Sequence, residues 1–185
     1  MVKFLRFVSP WFVAAAAGLL LSACSTVTPA AYHDQQPELR LESYFNGPLS
    51  ADGLVFDRSG KVVRRFHVDL LGVWHGDNGT LTEHFTYSDG KTQERVWHLH
   101  REPDAGGMRR YTGTAGDIVG TAAGAADGNA FHWNYVLALP YHGHVIDVHM
   151  DDWMYLMNDH VLLNRTHMSK FGIRVASIFI AFHKP

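Results

Sequence analysis

The chain of 185 residues has a single cysteine, Cys24, so no internal disulfide can staple its fold. It also lacks an apolar run of the roughly 18 residues that a membrane-spanning helix needs; Phe12 to Leu21 (FVAAAAGLLL) is too short. Positive charge is not in excess, with 16 Lys and Arg against 18 Asp and Glu. That balance excludes the basic face on which nucleic-acid binding depends, and no nucleic-acid partner is expected. No G-x-S-x-G, H-E-x-x-H or phosphate-binding loop occurs. No catalytic residue and no cofactor is therefore assigned.

The first 23 residues read as an export signal, with Lys3 and Arg6 ahead of the short apolar stretch. The segment Leu21 to Cys24, LSAC, resembles the lipobox of bacterial lipoproteins. There the cysteine becomes the new N-terminus and carries acyl chains. Lipidation of Cys24 also accounts for an exported chain with one thiol. Several acyl chains, each contributing about 0.8 kcal/mol per buried methylene, hold a protein on a membrane. Ser25 follows the cysteine, where Asp is the residue of retention at the inner membrane, so the expected location is the periplasmic face of the outer membrane. Removal of Lys3 and Arg6 leaves 14 basic against 18 acidic residues, a net charge of −4. Residues 24–38 are polar, with Pro29 and Pro37 and no apolar period, and read as a lipidated N-terminus and tether.

From residue 39 to 185 the hydrophobic pattern has period two, broken by turn residues about every ten positions. DRSG (57–60), GDNG (76–79), SDG (88–90), EPDAGG (102–107), ADGN (126–129) and PYHG (140–143) separate runs such as Val62–Trp74, Thr80–Tyr87, Thr92–Arg101, Ala130–Leu139 and His144–Leu156. Nine or ten consecutive strands are too many for a flat sheet, and closure removes the exposed edges. The expected fold is all-β, an antiparallel up-and-down meander closed into a lipocalin-like barrel.

Two aspartates interrupt the apolar run VHMDDWMYL (148–156). On alternation, Asp152 lies on the core-facing side with Ile146, Val148, Met150 and Met154. If Asn158 and Asp159 form a two-residue turn, Arg165 falls opposite Asp152 and answers its charge with a forked pair. A three-residue turn is expected to bring Arg165 to Asp151 instead. The pair is read either as a buried ion pair that fixes register or, with Tyr135 and Glu83, as the polar floor of a ligand site. Small barrels can hold one small molecule.

The stretches DRSGKVVRRFHVDLLGVW (57–74), GTLTEHFTYSDGKTQERVW (79–97), YTGTAGDIVGTAAG (111–124), GNAFHWNYVLALP (128–140) and DDWMYL with LLNRTHMSKFG (151–156, 162–172) resemble the uncharacterised Gram-negative lipoproteins of domain-of-unknown-function family 3833. The likeness runs from about Gln36 to Lys184 and extends to the lipobox. It implies no established activity and no catalytic residues. It does imply a lipid connection, because members are often encoded beside fatty-acid-modifying enzymes.

Thirteen histidines include His98-x-His100 and His142-x-His144, and Asp147, His149 and Asp151 alternate. Imidazole with carboxylate suits zinc, but these spacings are short and fall at loop ends, so no metal is predicted. Glycines 116, 120, 124 and 128 recur every fourth residue without an apolar helix around them and read as a thin, bent strand. Trp153, Tyr155 and Leu162 are placed outward, covered by the segment around Leu39–Phe45. The leading expectation is a lipid-anchored barrel that binds an apolar or amphipathic small molecule such as a lipid or fatty acid. The others are a non-catalytic envelope scaffold acting through its outer surface, and a lipid-modifying enzyme using Asp152, Arg165 and Tyr135.

Overall fold

The computed structural model describes residues 26–185; the stretch read as an export signal and Cys24 lie outside them. Each turn foreseen in the sequence closes a hairpin. In DRSG the Asp57 carboxylate accepts hydrogen bonds from the Ser59 and Lys61 amides, and Gly60 takes the positive φ of 88° that the reversal demands. The strands are β1 (Gly47–Asp57), β2 (Val62–His75), β3 (Asn78–Tyr87), β4 (Thr92–Ala105), β5 (Met108–Thr114), β6 (Ile118–Asp127), β7 (Ala130–Tyr141), β8 (His144–Leu156), β9 (Val161–Lys170) and β10 (Ile173–His183). Every strand pairs antiparallel with its sequence neighbours, and β1 pairs with β10, closing the barrel. The fold class read from the sequence is the fold observed.

The glycine-rich run is β6, with a register shift between Val119 and Ala123 and Gly120 at φ 73°. No described helix is long and apolar enough to cross a membrane.

The two ends of the barrel differ. At one end, here the closed end, a short helix α1 (Leu41–Tyr44) and Phe45 cross the opening. Leu39, Leu41, Tyr44 and Phe45 are buried, and the Phe45 ring meets Phe182 edge-on at 5.5 Å. Gly72 makes this possible, because a side chain there would collide with the Phe45 carbonyl. Tyr44 donates its hydroxyl hydrogen to the carbonyl of His160 at 3.2 Å, and Lys184 Nζ donates to Ser43 O at 2.7 Å. Leu39–Phe45 therefore plugs the barrel and does not cover its outer wall.

The segment read as a tether packs against that wall. Residues Pro29–Tyr32 form one 3-10 turn on β6 and β7. Tyr32 covers Trp153 and Tyr155 at centroid distances of 6.0 and 5.4 Å. His33 reaches Asp127 at 2.9 Å, and Glu38 accepts from Arg109 at 2.8 Å. Leu162, placed outward by the sequence reading, points inward and is fully buried.

Candidate functional site in the open half of the barrel

The predicted Asp152–Arg165 pair does not form. The β8–β9 connection is a three-residue loop, Asn158–His160, closed by the Met157 amide on the Val161 carbonyl at 2.9 Å. Asp152 then lies opposite Thr166, and Arg165 opposite Trp153. One residue of register moves every side chain to the other face, so Arg165 is exposed on the outer wall and does not meet Asp151 either. The inward residues of β9 are Leu162, Asn164, Thr166 and Met168.

Hydrogen bonds answer the Asp152 charge in place of a guanidinium. Its Oδ2 accepts from Trp133 Nε1 at 3.1 Å and Tyr135 OH at 3.3 Å. Its Oδ1 accepts from Thr166 Oγ1 at 3.1 Å and from Asn164 Nδ2. Trp133 and Thr166 are its direct neighbours on the flanking strands, so register alone delivers two of the four donors. Burial pushes the Asp152 carboxyl up from the ordinary carboxylate range, and these donors only partly offset it. Burial also pushes the Tyr135 hydroxyl well up, and the Asp152 charge adds to that.

The cation nearest this floor is Arg95, which the sequence reading missed. It stands directly opposite Glu83 across β3 and β4. Its Nε and Nη2 fork onto Asp117, the shortest contact being 2.7 Å. Its Nη1 is 3.7 Å from Glu83 Oε2, close enough for charge attraction and too far for a hydrogen bond. Glu83 Oε2 consequently has no hydrogen-bond partner, although the residue is only 8% exposed. Burial raises the Glu83 carboxyl to about 7 against the lowering effect of Arg95, and Asp117 adds to the rise.

These groups floor a cavity of about 620 Å³ that occupies the open half of the barrel. Its walls are apolar, with Phe66, Phe85, Leu137, Met150, Met168 and Ile178. Arg64 stands over the Tyr87 ring at 3.5 Å near the mouth. Below the floor the closed half is filled. The Trp97 and Trp133 rings lie 4.8 Å apart, with Phe131 at 5.4 Å from Trp133, and only about 40 Å³ is left among them.

The wall beside the floor is incomplete. β5 ends at Thr114, so β4 pairs with it only from His98 onward, and residues 92–97 lack a β5 partner. The Arg95–Asp117 fork and a Gln93–Asp117 contact at 3.4 Å span the resulting slit.

Glu83, Tyr135 and Asp152 thus come together at the floor, whereas Arg165 does not join them. The histidines singled out earlier stay apart, and among the described residues no three His, Cys, Asp or Glu side chains are grouped to hold a metal.

Comparison with known proteins fits this geometry. A family model described as "Protein of unknown function (DUF3833)" matches residues 18–184. The chain belongs to the DUF3833 family. No curated protein matches it. Among solved structures, the DUF3833 chain is similar to the S-type phycobiliprotein lyase CPES from Guillardia theta, with a TM-score of 0.58 and 5% identity over 86% of this chain and 98% of that one. It is also similar to Rv2717c from M. tuberculosis, with a TM-score of 0.56 and 14% identity over 82% and 99% of the two chains. At such identities the likeness is one of fold.

Proposed function

We propose that this DUF3833 protein binds an amphipathic small molecule, of lipid or fatty-acid-derived kind, in the open half of its barrel, while anchored through a lipidated Cys24 to the periplasmic face of the outer membrane. The apolar part of the ligand lies along Phe66, Phe85, Leu137 and Met150, and its polar end meets Glu83, Arg95, Tyr135 and Asp152. The observation that carries this reading is the open cavity of about 620 Å³ with an unpartnered, buried Glu83 Oε2 at its floor. That volume is within the range of about 300–1,000 Å³ usual for ligand sites, and apolar walls with a few convergent polar groups are their usual chemistry.

The floor also favours one kind of polar end. Glu83, Asp117 and Asp152 outnumber Arg95, and two of the Arg95 nitrogens are already held by Asp117. A hydroxyl or amine that donates to Glu83 Oε2 is accommodated better than a free carboxylate. Binding without chemistry is the reading, because Asp152 is saturated by its donors and Arg95 is held by Asp117. A scaffold acting through its outer face has less support, since Trp153 and Tyr155 lie beneath Tyr32. The family match begins at residue 18 and so includes the lipobox-like LSAC, which supports the anchor.

Native mass spectrometry of the protein purified from its own cell envelope is expected to show a lipid-sized adduct. Ala176 lines the cavity; Ala176→Phe fills that space and is expected to lose the adduct while the protein stays folded. An empty wild-type protein, or equal occupancy in the variant, refutes the reading.

A further inference from the structure

The mouth of the barrel carries a second feature that the cavity does not explain. Its rim is built from the hairpin tips at 58–61, 88–91, 115–117, 142–143 and 171–172. Large apolar side chains are exposed at or beside most of these tips. Phe171 is 91% exposed, Val145 66%, Val63 55%, and Tyr141 and Ile173 54% each. They are contributed by three hairpins that follow one another along one side of the opening, so they are not one buried cluster laid bare.

Basic residues are interleaved with them. Arg58, Lys61 and Arg65 flank the β1–β2 tip, and Lys170 and Arg174 flank the β9–β10 tip. The closed end is mixed in charge, where Arg40, Arg101 and Arg109 are paired with Glu38, Glu42 and Asp104, and Lys184 sits beside the plug. A chain that is acidic as a whole therefore presents an apolar side of the rim flanked by bases, while the β3–β4 and β5–β6 tips on the other side bring Asp89 and Asp117. Apolar residues ringed by Lys and Arg are the chemistry that enters the interface of an anionic bilayer.

The N-terminal strap leads the same way. Followed backwards, it leaves the closed end where Leu39 bonds to the Gly128 carbonyl and climbs the outer wall, so that Thr28 and Pro29 lie over Ala123, Gly124 and Asn134. Three residues, Ser25 to Val27, separate Thr28 from Cys24, four residue steps with a reach of at most about 14 Å. The stretch of β6 from Ala123 to its start at the mouth is about 17 Å long at about 3.3 Å per residue. Four such steps and an acyl group are together long enough to span that distance.

We infer that the barrel docks mouth-down on an anionic phospholipid bilayer, with Phe171, Ile173, Tyr141, Val145 and Val63 in the interface and the neighbouring Lys and Arg on the headgroups. The cavity then opens directly onto the membrane surface, and its contents exchange without crossing bulk water. The docking rests on the rim and the strap and is independent of what the cavity holds.

The test uses the full lipidated chain reconstituted into vesicles of phosphatidylglycerol and phosphatidylcholine. Acylation consumes Cys24, so an introduced thiol is unique. A fluorophore placed at Val145→Cys or Tyr141→Cys is expected to be quenched strongly by nitroxides carried on the lipid chains, and one at Met157→Cys, on the closed end, only weakly. Lys170→Glu and Arg174→Glu are each expected to lower the docked-to-free ratio at least about fivefold, as is replacing the anionic lipid with phosphatidylcholine. Phe171→Asp, at a fully exposed tip, is expected to abolish quenching at Val145→Cys with the thermal midpoint unchanged. Equal quenching at the two ends, or a mouth that stays wet in anionic vesicles, overturns the inference, including the case in which the ring serves a protein partner. Native mass spectrometry of the same variants separates the two ideas: an adduct that persists in Phe171→Asp leaves ligand binding standing while docking fails.

Discussion

The closed and open halves of this barrel are made from the same ten strands with the same inward alternation, yet one is a packed core and the other a cavity. In the closed half Trp97 of β4 meets Trp133 and Phe131 of β7 over Gly113 of the intervening β5, and Phe45 enters from the end to complete them. In the open half Phe66, Phe85 and Tyr87 lie side by side on neighbouring strands, with Phe66 and Phe85 at 5.7 Å, so they line the wall and leave the axis free. Aromatic content alone does not decide whether a barrel is hollow. What decides is whether large side chains meet over intervening strands of small residues or line adjacent ones, and whether the chain supplies a plug.

This contrast can be broken experimentally, beginning where the effect is largest. Phe131→Ala removes a fully buried ring from the packed half and is expected to cost about 3–5 kcal/mol. Phe85→Ala, on the cavity wall, leaves a space that solvent or ligand refills and is expected to cost about 2 kcal/mol; urea unfolding of the two variants measures the difference.

The second effect is the pH dependence of the floor. The folded protein holds a proton on Glu83 up to about pH 7, against an ordinary carboxyl value of 4.5. Between those values the folded state binds more protons than the unfolded one, so the contribution of Glu83 to stability is complete below about pH 4.5 and is lost as pH rises through about 7. Glu83→Gln is expected to be more stable than wild type at pH 8, by up to about 3 kcal/mol, with the difference vanishing near pH 4. Chemical unfolding across that range provides the check. Asp152, also raised, acts in the same direction.

Smaller again is the strap. Tyr32→Ala uncovers Trp153 and Tyr155 and is expected to cost about 1 kcal/mol, with increased Trp153 exposure to a soluble quencher. Last comes Arg165→Ala. With its side chain on the outer wall, the expected loss is under 1 kcal/mol, whereas a residue buried against Asp152 would lose several times that.

Much of the fold was legible because period-two alternation and regular turn chemistry are local signals. Asp152 was also legible as an inward charge, since parity along one strand needs no partner. Its partners were not, because the Asn158–His160 loop differs by one residue from the expected turn, and that residue sends Arg165 outward while bringing Thr166 in. The Glu83–Arg95 pairing was within reach. The turn SDG at 88–90 has three residues, joins Tyr87 to Lys91 and so sets position 83 against 95. The fork from Arg95 to Asp117 was not readable, because it depends on β5 being shorter than its neighbours. The strap was hidden for another reason. Residues 26–38 have no apolar period, and they are held by single contacts such as Tyr32 on Tyr155 and Glu38 on Arg109.

The short β5 has one further consequence. A barrel resists unravelling because every strand edge is matched, and here the margin of β4 over residues 92–97 is latched on that side by side chains in place of a backbone ladder. Amide hydrogens along that margin should trade for deuterium sooner than those elsewhere in the wall.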